Sequence, residues 1–545
     1  MQKTLFTKLS IIAGLCIIFA IGLNMIGSVI YERQNYAASV IKEIAQQHIN
    51  PQEVITPFIA IPTTVTPECQ ITAPGTTSKC APSYSKIETI FANQTQATQD
   101  LEVSTDTYKR GIYHATSYDG ALTFDQRYIF DKAISRLYEA TSPASAEQSS
   151  VNTPTSNNKT KPKETIIHWN EAKLIIPVSD LRGVATLPTV TIEQKPIKAT
   201  YPQTPLLKNL TYVEVAIPQN ILQRATKNMA SQQSKSRLIA TSTNSEALAS
   251  TDIGSQSPDI KDNQATDIMI DLPLAGISNL NTVPTGQNFN LTMRSNWHAP
   301  NFIGKALPNA KKFTANGFEA SWQNQYLTIA NNQYLSQCLS TANNRCVVIS
   351  KATLDTSSQS MTPDDAITAI EGIVTEEGTT VTDSYQNVRL NSFGVSFAEP
   401  NDVYLQTERA MKYALLLILV SFGTFFLFEV IKSSRIHPIQ YLLVGCALFV
   451  FYVLLLPLAE QIVFWKAYTI AASACVGLIG WYTYYVLGGI KRAAIFTATL
   501  AGLYASFFGI LTTEDMNLLL GAVFCFVLLA CVMVMTRKID WYKIA

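Results

Sequence analysis

Residues 413–431 read YALLLILVSFGTFFLFEVI, and this stretch decides the fold because it is apolar enough to lie in a membrane. Four further apolar runs follow it, at residues 439–458, 467–487, 493–511 and 516–535. An α-helix rises about 1.5 Å per residue, so each run is long enough to cross a hydrocarbon core of about 30 Å. None carries the polar stripe of a soluble helical bundle, and backbone groups in lipid must be hydrogen-bonded within their own segment. We therefore predict a C-terminal bundle of five transmembrane helices within residues 411–545.

The N-terminus adds one more apolar run. Residues 1–10 carry Lys3 and Lys8 and no acidic residue, and residues 11–30 are almost wholly apolar. A cleaved signal peptide is the competing interpretation, but its apolar region is about 7–15 residues long. The run here is longer and lacks a good cleavage site at its end. We therefore predict an uncleaved first transmembrane helix at residues 11–30, which gives six transmembrane helices in all.

The basic residues near the helix ends predict the orientation, because cytoplasmic loops of membrane proteins are enriched in Lys and Arg. With the N-terminus in the cytoplasm, most of these residues fall on the cytoplasmic side: Lys3, Lys8, Lys432, Arg435, Lys491, Arg492, Arg537, Lys538 and Lys543. We predict that both termini are cytoplasmic and that residues 31–410 lie outside.

The long outer segment has the pattern of a β-rich domain. Residues 31–50 continue the first helix as far as Pro51. Short β-type runs bounded by Pro, Gly and Asn then follow, which is typical of a sandwich-like fold. The predicted strands are residues 58–65, 109–118, 164–178, 189–201, 211–217, 267–274, 289–297, 317–329 and 347–354, with weaker helix candidates at 128–138 and 363–371.

Two stretches of the outer segment, near residues 142–163 and 231–264, are rich in Ser, Thr, Asn, Gln and Ala. They have few large apolar residues with which to offset the entropy of ordering. We predict disordered insertions there.

The nine cysteines fall into two groups. Five lie in predicted membrane helices, where they are small apolar residues. The other four form two local pairs, Cys69 with Cys80 and Cys338 with Cys346. Such spacings are typical of disulfides that close hairpins in an oxidising compartment, whereas a zinc site needs more tightly paired ligands. We predict two disulfides and no metal site.

The sequence shows no motif that predicts catalysis. HExxH, GxSxG, Walker and GxGxxG motifs are absent from it. Ser83 with Lys86 and Ser156 with Lys159 match SxxK, but no KTG accompanies them, so chance matches are favoured. His114 and His168 are candidate partners for a hydrolase, although a structural role is the simpler interpretation. We predict no catalytic, cofactor-binding or metal-binding residues.

Charge excludes one class of partner and favours one ion pair. The chain has 41 Lys and Arg against 40 Asp and Glu, and its outer segment is slightly acidic without a basic tract. Nucleic-acid binding is therefore not expected. Arg182 lies beside a glycine at a strand end, and a buried ion pair with Asp180 or Asp106 is one interpretation, while a tight turn is the other.

Several blocks of the sequence resemble the CreD family of inner-membrane proteins, also known as cell envelope integrity proteins. The resemblance is strongest near the C-terminus, in YLQTERAMKYALLLI (404–418), FFLFEVIKSSRIHPIQYLLVGCALFVFYVLLLPLAE (425–460) and TRKIDWY (536–542). Outer-segment blocks also match, namely FIAIP (58–62), KRGIYHA (109–115), SDLRGV (179–184), SNWHAPNFIGKALP (295–308) and GFEASW (317–322). The two polar insertions and the added cysteine pairs depart from the family pattern.

The resemblance implies a bacterial inner-membrane protein with a periplasmic domain. It also implies a role in envelope integrity and in responses to envelope stress. Together with the missing catalytic motifs, this favours a non-enzymatic structural or interaction protein, whose partner is a periplasmic or envelope protein, a glycan or a lipid. The alternative is a membrane transporter or lipid-handling protein, because a simple anchor needs one helix and not six. The sequence does not predict an oligomeric state.

Overall fold

The fold was analysed in a computed structural model of the chain. It describes residues 2–67, 69–71, 81–130, 133–135, 137, 159–161, 164–207, 210–224, 265–340, 390–397, 403–432, 437–486, 489–512 and 517–537. The chain divides into two compact units. Unit 1 comprises Met1–Ile41, Arg110–Tyr113 and Glu399–Ala545, and unit 2 comprises Lys42–Lys109 and His114–Ala398.

Unit 1 is helical and unit 2 is mostly β-structure. The helices are α1 (Gln2–Gln47), α2 (Gln325–Ser340), α3 (Val403–Lys412), α4 (Ala414–Lys432), α5 (Pro438–Gln461), α6 (Phe464–Val486), α7 (Ile490–Thr512) and α8 (Asn517–Thr536). The strands are β1 (Gln52–Ile55), β2 (Phe58–Thr66), β3 (Cys69–Ile71), β4 (Tyr84–Ile90), β5 (Gln94–Arg110), β6 (Tyr113–Ile129), β7 (Lys159–Lys161), β8 (Glu164–Ile167), β9 (Lys173–Pro177), β10 (Thr189–Ile192), β11 (Lys195–Lys198), β12 (Tyr212–Ala216), β13 (Ala265–Ile277), β14 (Asn279–Val283), β15 (Asn288–Ser295), β16 (Asn301–Gly304), β17 (Ala310–Thr314), β18 (Gly317–Gln323) and β19 (Phe393–Ser396). A membrane-type helical region together with a large β-rich region is what the sequence predicts.

The number of membrane-spanning helices differs from the prediction. Within the described residues three helices are long and apolar enough to cross a membrane, in α1, α5 and α7, and a fourth span results if the bent pair α3 and α4 is counted as one. Helix α6 has 23 residues, but its many Tyr and Trp residues lower its mean hydropathy. The apolar stretch of α8, Leu519–Val534, is short. The structure therefore does not confirm six spanning helices.

Aromatic side chains hold the core of unit 1 together. The ring of Phe451 on α5 lies 4.8 Å from that of Tyr504 on α7 and 5.4 Å from that of Tyr468 on α6. The Tyr468 hydroxyl donates a 2.9 Å hydrogen bond to the Tyr504 carbonyl. Gly445 lets Phe19 of α1 approach α5, because a Cβ there would overlap the Phe19 ring. Large ring surfaces supply most of the packing energy in such a core.

Unit 2 contains three main sheets. The largest has eight strands in the order β11-β10-β13-β6-β5-β15-β18-β17. The second sheet has five strands: four in the order β12-β9-β2-β4, and β8, which pairs with β2 beside this path. The third has four strands in the order β1-β14-β19-β16. In the four-stranded sheet, Gln52 of β1 and Val395 of β19 both pair with Leu280 of β14. The first and last strands of unit 2 are therefore separated by a single strand.

The sheets of unit 2 are stacked in layers. One hydrophobic cluster joins the inner face of the eight-stranded sheet, with Phe124 and Leu291, to the smaller sheets, with Ile59 and Val395. A second cluster lies on the opposite face of the smaller sheets and includes Phe58 together with Leu335 of α2. Because both faces of β2 are buried, its sequence FIAIP is a continuous apolar run and does not alternate. The layers are thus sheet, sheet and helix.

Several predicted elements need correction. The predicted strand 109–118 contains the turn of a long hairpin, where Gly111 has a φ of +64° and joins β5 to β6. The predicted strand 317–329 ends at Gln323, and α2 begins at Gln325. The helix candidate 128–138 is helical at its described residues 130, 133–135 and 137, but Tyr128 and Ile129 belong to β6. Lys159–Lys161 pairs with Cys69–Ile71, although composition predicts disorder there.

Other predictions fall on residues outside the described ranges. These are the strand at 347–354, the helix at 363–371, the insertion at 231–264 and most of the insertion at 142–163.

Candidate interaction surface

The outer face of the eight-stranded sheet presents polar side chains and two clefts. Along β5, inward side chains such as Ala97 and Leu101 are buried, whereas the alternate residues Gln94, Gln96 and Asp100 are exposed. Side chains of a strand point alternately to its two faces, so β5 places a row of polar residues on the outside of the sheet. We call this outer face the sheet face.

The larger cleft on the sheet face has a volume of about 540 Å³ and lies across β5, β6, β15, β17 and β18. Arg294 stands at its centre, with Nη1 3.7 Å from Asp100 Oδ1 and Nε 3.2 Å from Glu319 Oε2. The hydrogen bond to Glu319 is the main cause of a raised pKa of the Arg294 guanidinium. Gly120 also lines the cleft. This position requires glycine, because a Cβ there would overlap the carbonyl oxygen of Asp100.

A second cleft of about 350 Å³ lies further along the same face, over β5, β6, β10 and β13. Gln94 and Gln96 contribute amides to it, and Arg127 Nε donates a 2.9 Å hydrogen bond to Asp267 Oδ1. Met269 also lines this cleft and is 56% exposed, which places an apolar side chain among polar ones. The two clefts thus make one extended polar surface with an apolar contact point.

The sheet face is acidic. Six carboxylates line its two clefts, against three basic side chains, for a net charge of −3: Asp100, Glu102, Asp119, Asp125, Asp267 and Glu319 against Arg127, Arg294 and Lys312. Neither cleft is lined by a histidine or cysteine. This arrangement can form many hydrogen bonds and ion pairs with a partner.

A polar network at the start of unit 2 contains the predicted Arg182 pair. Arg182 Nη2 lies 2.6 Å from Asp180 Oδ2, so the partner is Asp180 and not Asp106, which pairs with Lys109. The same Oδ2 accepts hydrogen bonds of 3.0 Å from the backbone N–H and the amide of Asn50. Arg182 Nη1 also donates to the carbonyl of Gln46 in the last turn of α1, over 2.7 Å.

The environment of Asp180 lowers the pKa of its carboxyl group. Burial by itself disfavours the carboxylate, but hydrogen bonds from Arg182 and Asn50 outweigh burial and hold the pKa of Asp180 below its usual value. The network joins α1 to β1 and the loop after β9 through charge-assisted hydrogen bonds. Its role is structural.

The other sequence candidates are not assembled into a site. His168 Nε2 lies 2.8 Å from Thr64 Oγ1 on β2, and the described contacts do not join it to His114 at the start of β6. Lys86 forms an ion pair with Glu88, and the Ser83 hydroxyl forms a hydrogen bond with that of Thr66. The lysine of this SxxK match is therefore not hydrogen-bonded to its serine in the contacts described. No group of three metal-ligating side chains occurs among the described residues.

The cysteines are only partly described. Cys338 is buried in α2 and is disulfide-bonded, and its partner lies outside the described residues. The side chains of Cys69, Cys80 and Cys346 are outside them too. The five cysteines of the predicted membrane helices are free thiols. The pairings Cys69–Cys80 and Cys338–Cys346 remain predictions.

The family model described as "Inner membrane protein CreD" matches residues 4–542. The chain belongs to the CreD family. The inner membrane protein CreD of Escherichia coli (strain K12) is 27% identical to it over 545 residues, which cover 99% of this chain and 95% of that one. No solved structure matches the chain. The resemblance seen in the sequence blocks is confirmed, and membership of the CreD family makes this an inner-membrane protein.

Sequence reasoning missed the sheet face of this CreD family member. Its residues come from strands as distant in the chain as β5 and β18, and pairing brings them together. The signal that was available is the alternation QTQATQDLEV in β5, in which polar residues occupy every outward position. Such alternation without large apolar residues was not predicted to be a strand.

Proposed function

We propose that this CreD family protein supports cell envelope integrity and the envelope stress response as a non-enzymatic binding protein. The observation that carries the proposal is the sheet face, a wide acidic surface with two clefts. Exposed carboxylates and amides bind partners through hydrogen bonds and steer them electrostatically. We infer a periplasmic or envelope partner, either a protein, a glycan or a lipid headgroup, that presents cationic and hydrogen-bonding groups to this face.

The proposal includes a topology with six membrane helices and both termini in the cytoplasm. Helix α6 supports it, since its 23 residues have a length of about 34 Å. Trp465 near one end of α6 and Trp481 and Tyr485 near the other are exposed, as in the aromatic belts of membrane interfaces. Unit 2 would then lie in the periplasm, and that compartment permits the two proposed disulfides, Cys69–Cys80 and Cys338–Cys346.

Complementation of a deletion strain tests the proposal, with detergent and β-lactam sensitivity as the readout. Glu102 and Asp119 line the larger cleft, so the Glu102→Lys/Asp119→Lys variant adds positive charge where a cationic partner would dock. The matched control, Glu164→Lys/Glu171→Lys, makes the same charge change at exposed positions next to the five-stranded sheet. We expect the cleft variant to lose rescue while the control retains it, at equal protein levels.

Equal rescue by both double variants would contradict binding at the sheet face. Reproducible turnover of any substrate by the purified protein would contradict the non-enzymatic assignment. Both outcomes are independent of how many helices cross the membrane.

The second candidate function is transport or lipid handling, and the helices of unit 1 favour it. A membrane anchor needs only one span, whereas the described residues contain three or four. Replacing residues 411–545 by one unrelated membrane helix separates the candidates. Rescue by this chimera would favour binding by unit 2, and loss of rescue with unit 2 still folded would favour a function within the helices.

A further inference from the structure

A long groove runs along the helices of unit 1, between α1 and the α3–α4 pair, and has a volume of about 530 Å³. One face of α1 lines it from Ala20 to Gln34, and the opposing helices line it from Glu408 to Leu415. The α1 residues that line it are three or four positions apart, so they form a single stripe. All of these residues belong to helices that are apolar enough to span a membrane, α1 directly and α3–α4 as a bent pair.

The shape of the groove fits an elongated ligand. The stripe from Ala20 to Gln34 extends over 14 residue steps, or about 21 Å along α1. This is somewhat more than half of a hydrocarbon core of about 30 Å, which is the depth of one lipid leaflet with part of its interface. Gly27 leaves the groove open at its middle, because a Cβ there would have no atom within 4 Å.

The deeper part of the groove is apolar with one exception. Leu23, Gly27 and Leu415 line it, and Asn24 lies among them with its side chain exposed. None of the described hydrogen bonds involves the Asn24 amide, and a bare amide in hydrocarbon costs several kcal/mol in general. A diacyl lipid brings ester carbonyls into an otherwise apolar space, and these are acceptors for the amide N–H.

The mouth of the groove carries one charge of each sign. Lys412 Nζ lies 2.9 Å from Glu408 Oε1, and the two side chains are 68% and 44% exposed. A zwitterionic headgroup matches this pair, since its phosphate can contact Lys412 while its ammonium contacts Glu408. An anionic headgroup without an ammonium would satisfy Lys412 alone and bring a negative charge towards Glu408.

We propose that this groove binds one diacyl phospholipid with a zwitterionic ethanolamine headgroup. The headgroup contacts Glu408 and Lys412, Asn24 donates to an ester carbonyl, and the acyl chains continue from there past Ala20. The inference goes beyond the proposed function, because the groove belongs to unit 1 and the sheet face to unit 2.

Native mass spectrometry of the full-length protein in mild detergent tests the groove. The probes are phosphatidylethanolamine and phosphatidylglycerol with identical acyl chains, added in equal amounts. We expect the wild-type protein to retain one phosphatidylethanolamine. Gly27→Leu fills the groove and should weaken the affinity for the lipid about tenfold, measured by titrating the lipid. The matched control is Gly14→Leu, also on α1 with free space at its Cβ but outside the groove, and it should retain the lipid.

Two further variants keep the test decisive. Asn24→Leu suits a membrane helix and should also lower occupancy, even if Gly27→Leu does not fold. Glu408→Gln should abolish the preference for phosphatidylethanolamine over phosphatidylglycerol.

Three results would overturn the proposal. In the first, the Gly27→Leu and Asn24→Leu variants retain as much lipid as the wild type. In the second, the wild type retains phosphatidylethanolamine and phosphatidylglycerol equally. In the third, the wild type retains neither lipid.

Discussion

At the scale of single residues, Asp180 is the most connected side chain of unit 2. It is 9% exposed and accepts hydrogen bonds from Asn50, in the junction between α1 and β1, and from Arg182, in the segment after β9. The sequence permitted part of this site to be predicted, because Asp180 and Arg182 are two positions apart in one turn. It did not indicate Asn50, which lies 130 positions away and meets Asp180 only in the folded chain.

The first prediction is that Asp180→Ala destabilises unit 2. Removing the carboxylate leaves the Arg182 guanidinium and the Asn50 amide without their main acceptor. Breaking a buried charged pair by removing one partner costs about 3–5 kcal/mol, and partial exposure of Arg182 puts this case near 2–3 kcal/mol. Hydrogen exchange at the amides of β1 measures the loss. The control is Asp106→Ala, whose ion pair with Lys109 is fully exposed and screened by solvent, so this variant should leave the stability of unit 2 nearly unchanged.

The second prediction concerns pH. The pKa of Asp180 is lowered in the folded state, so its stabilising contribution is present above the unfolded pKa of about 4. As pH falls through the folded pKa, the carboxylate becomes protonated in both states and the contribution is lost. The stability difference between wild type and Asp180→Asn should therefore shrink as pH falls from 5 to below the folded pKa. Chemical unfolding followed by the fluorescence of buried tryptophan measures it, and a difference that is constant with pH would contradict the assignment.

At the scale of elements, the hairpin of β5 and β6 dominates the eight-stranded sheet. Each strand has 17 residues, about three times the usual length. The pattern of the sequence predicted strands with apolar alternation, such as β13 and β15, but not β5, whose outward row is Gln, Thr, Asp and Glu. It also missed α2, because QYLTIANNQYLSQCLS has no charged residue and its N-cap Asn324, whose Oδ1 accepts a 3.0 Å hydrogen bond from the Leu327 N–H, was not recognised as a helix start. The helical state of α2 also depends on packing over the second core cluster.

The third prediction is that Gly120→Ala disrupts this hairpin. A Cβ at Gly120 would overlap the backbone carbonyl of Asp100, and backbone atoms cannot move aside as a flexible side chain can. We expect a loss of about 2–4 kcal/mol, as for overpacking that forces a backbone shift. The neighbour Ala121 is exposed on the same strand, so Ala121→Val should change stability by less than about 0.5 kcal/mol. The midpoint of thermal unfolding distinguishes the two variants.

At the scale of the whole molecule, the arrangement of the chain across the membrane was the easiest feature to predict and is the one that most needs measurement. Apolar runs are visible in any sequence, because lipid imposes length and composition together. The described helices give three or four spans by those criteria, against six predicted. The difference arises in α6 and α8, where aromatic residues or a short described stretch weaken the signal.

The fourth prediction uses the parity of the spans. An even number of crossings places Met1 and Ala545 on the same side of the membrane, and an odd number places them on opposite sides. We expect reporter fusions at both ends to show cytoplasmic activity, since six helices with basic cytoplasmic ends place both termini there. A fusion within unit 2, at the exposed Glu171, should report the periplasm. Opposite locations for the two termini would exclude both four and six spans.

The pairing of Gln52 and Val395 with the same residue of β14 also bears on how the family can vary. Neighbouring strands lie about 4.8 Å apart, so the entry and exit of unit 2 are separated by about 10 Å. A segment whose ends lie this close together is a cassette: it can be lengthened, trimmed or exchanged for another whose ends have the same spacing. Evolution can therefore replace the partner-binding part of such a protein while keeping its membrane part, and an engineer can close the same segment into a soluble ring with a short linker.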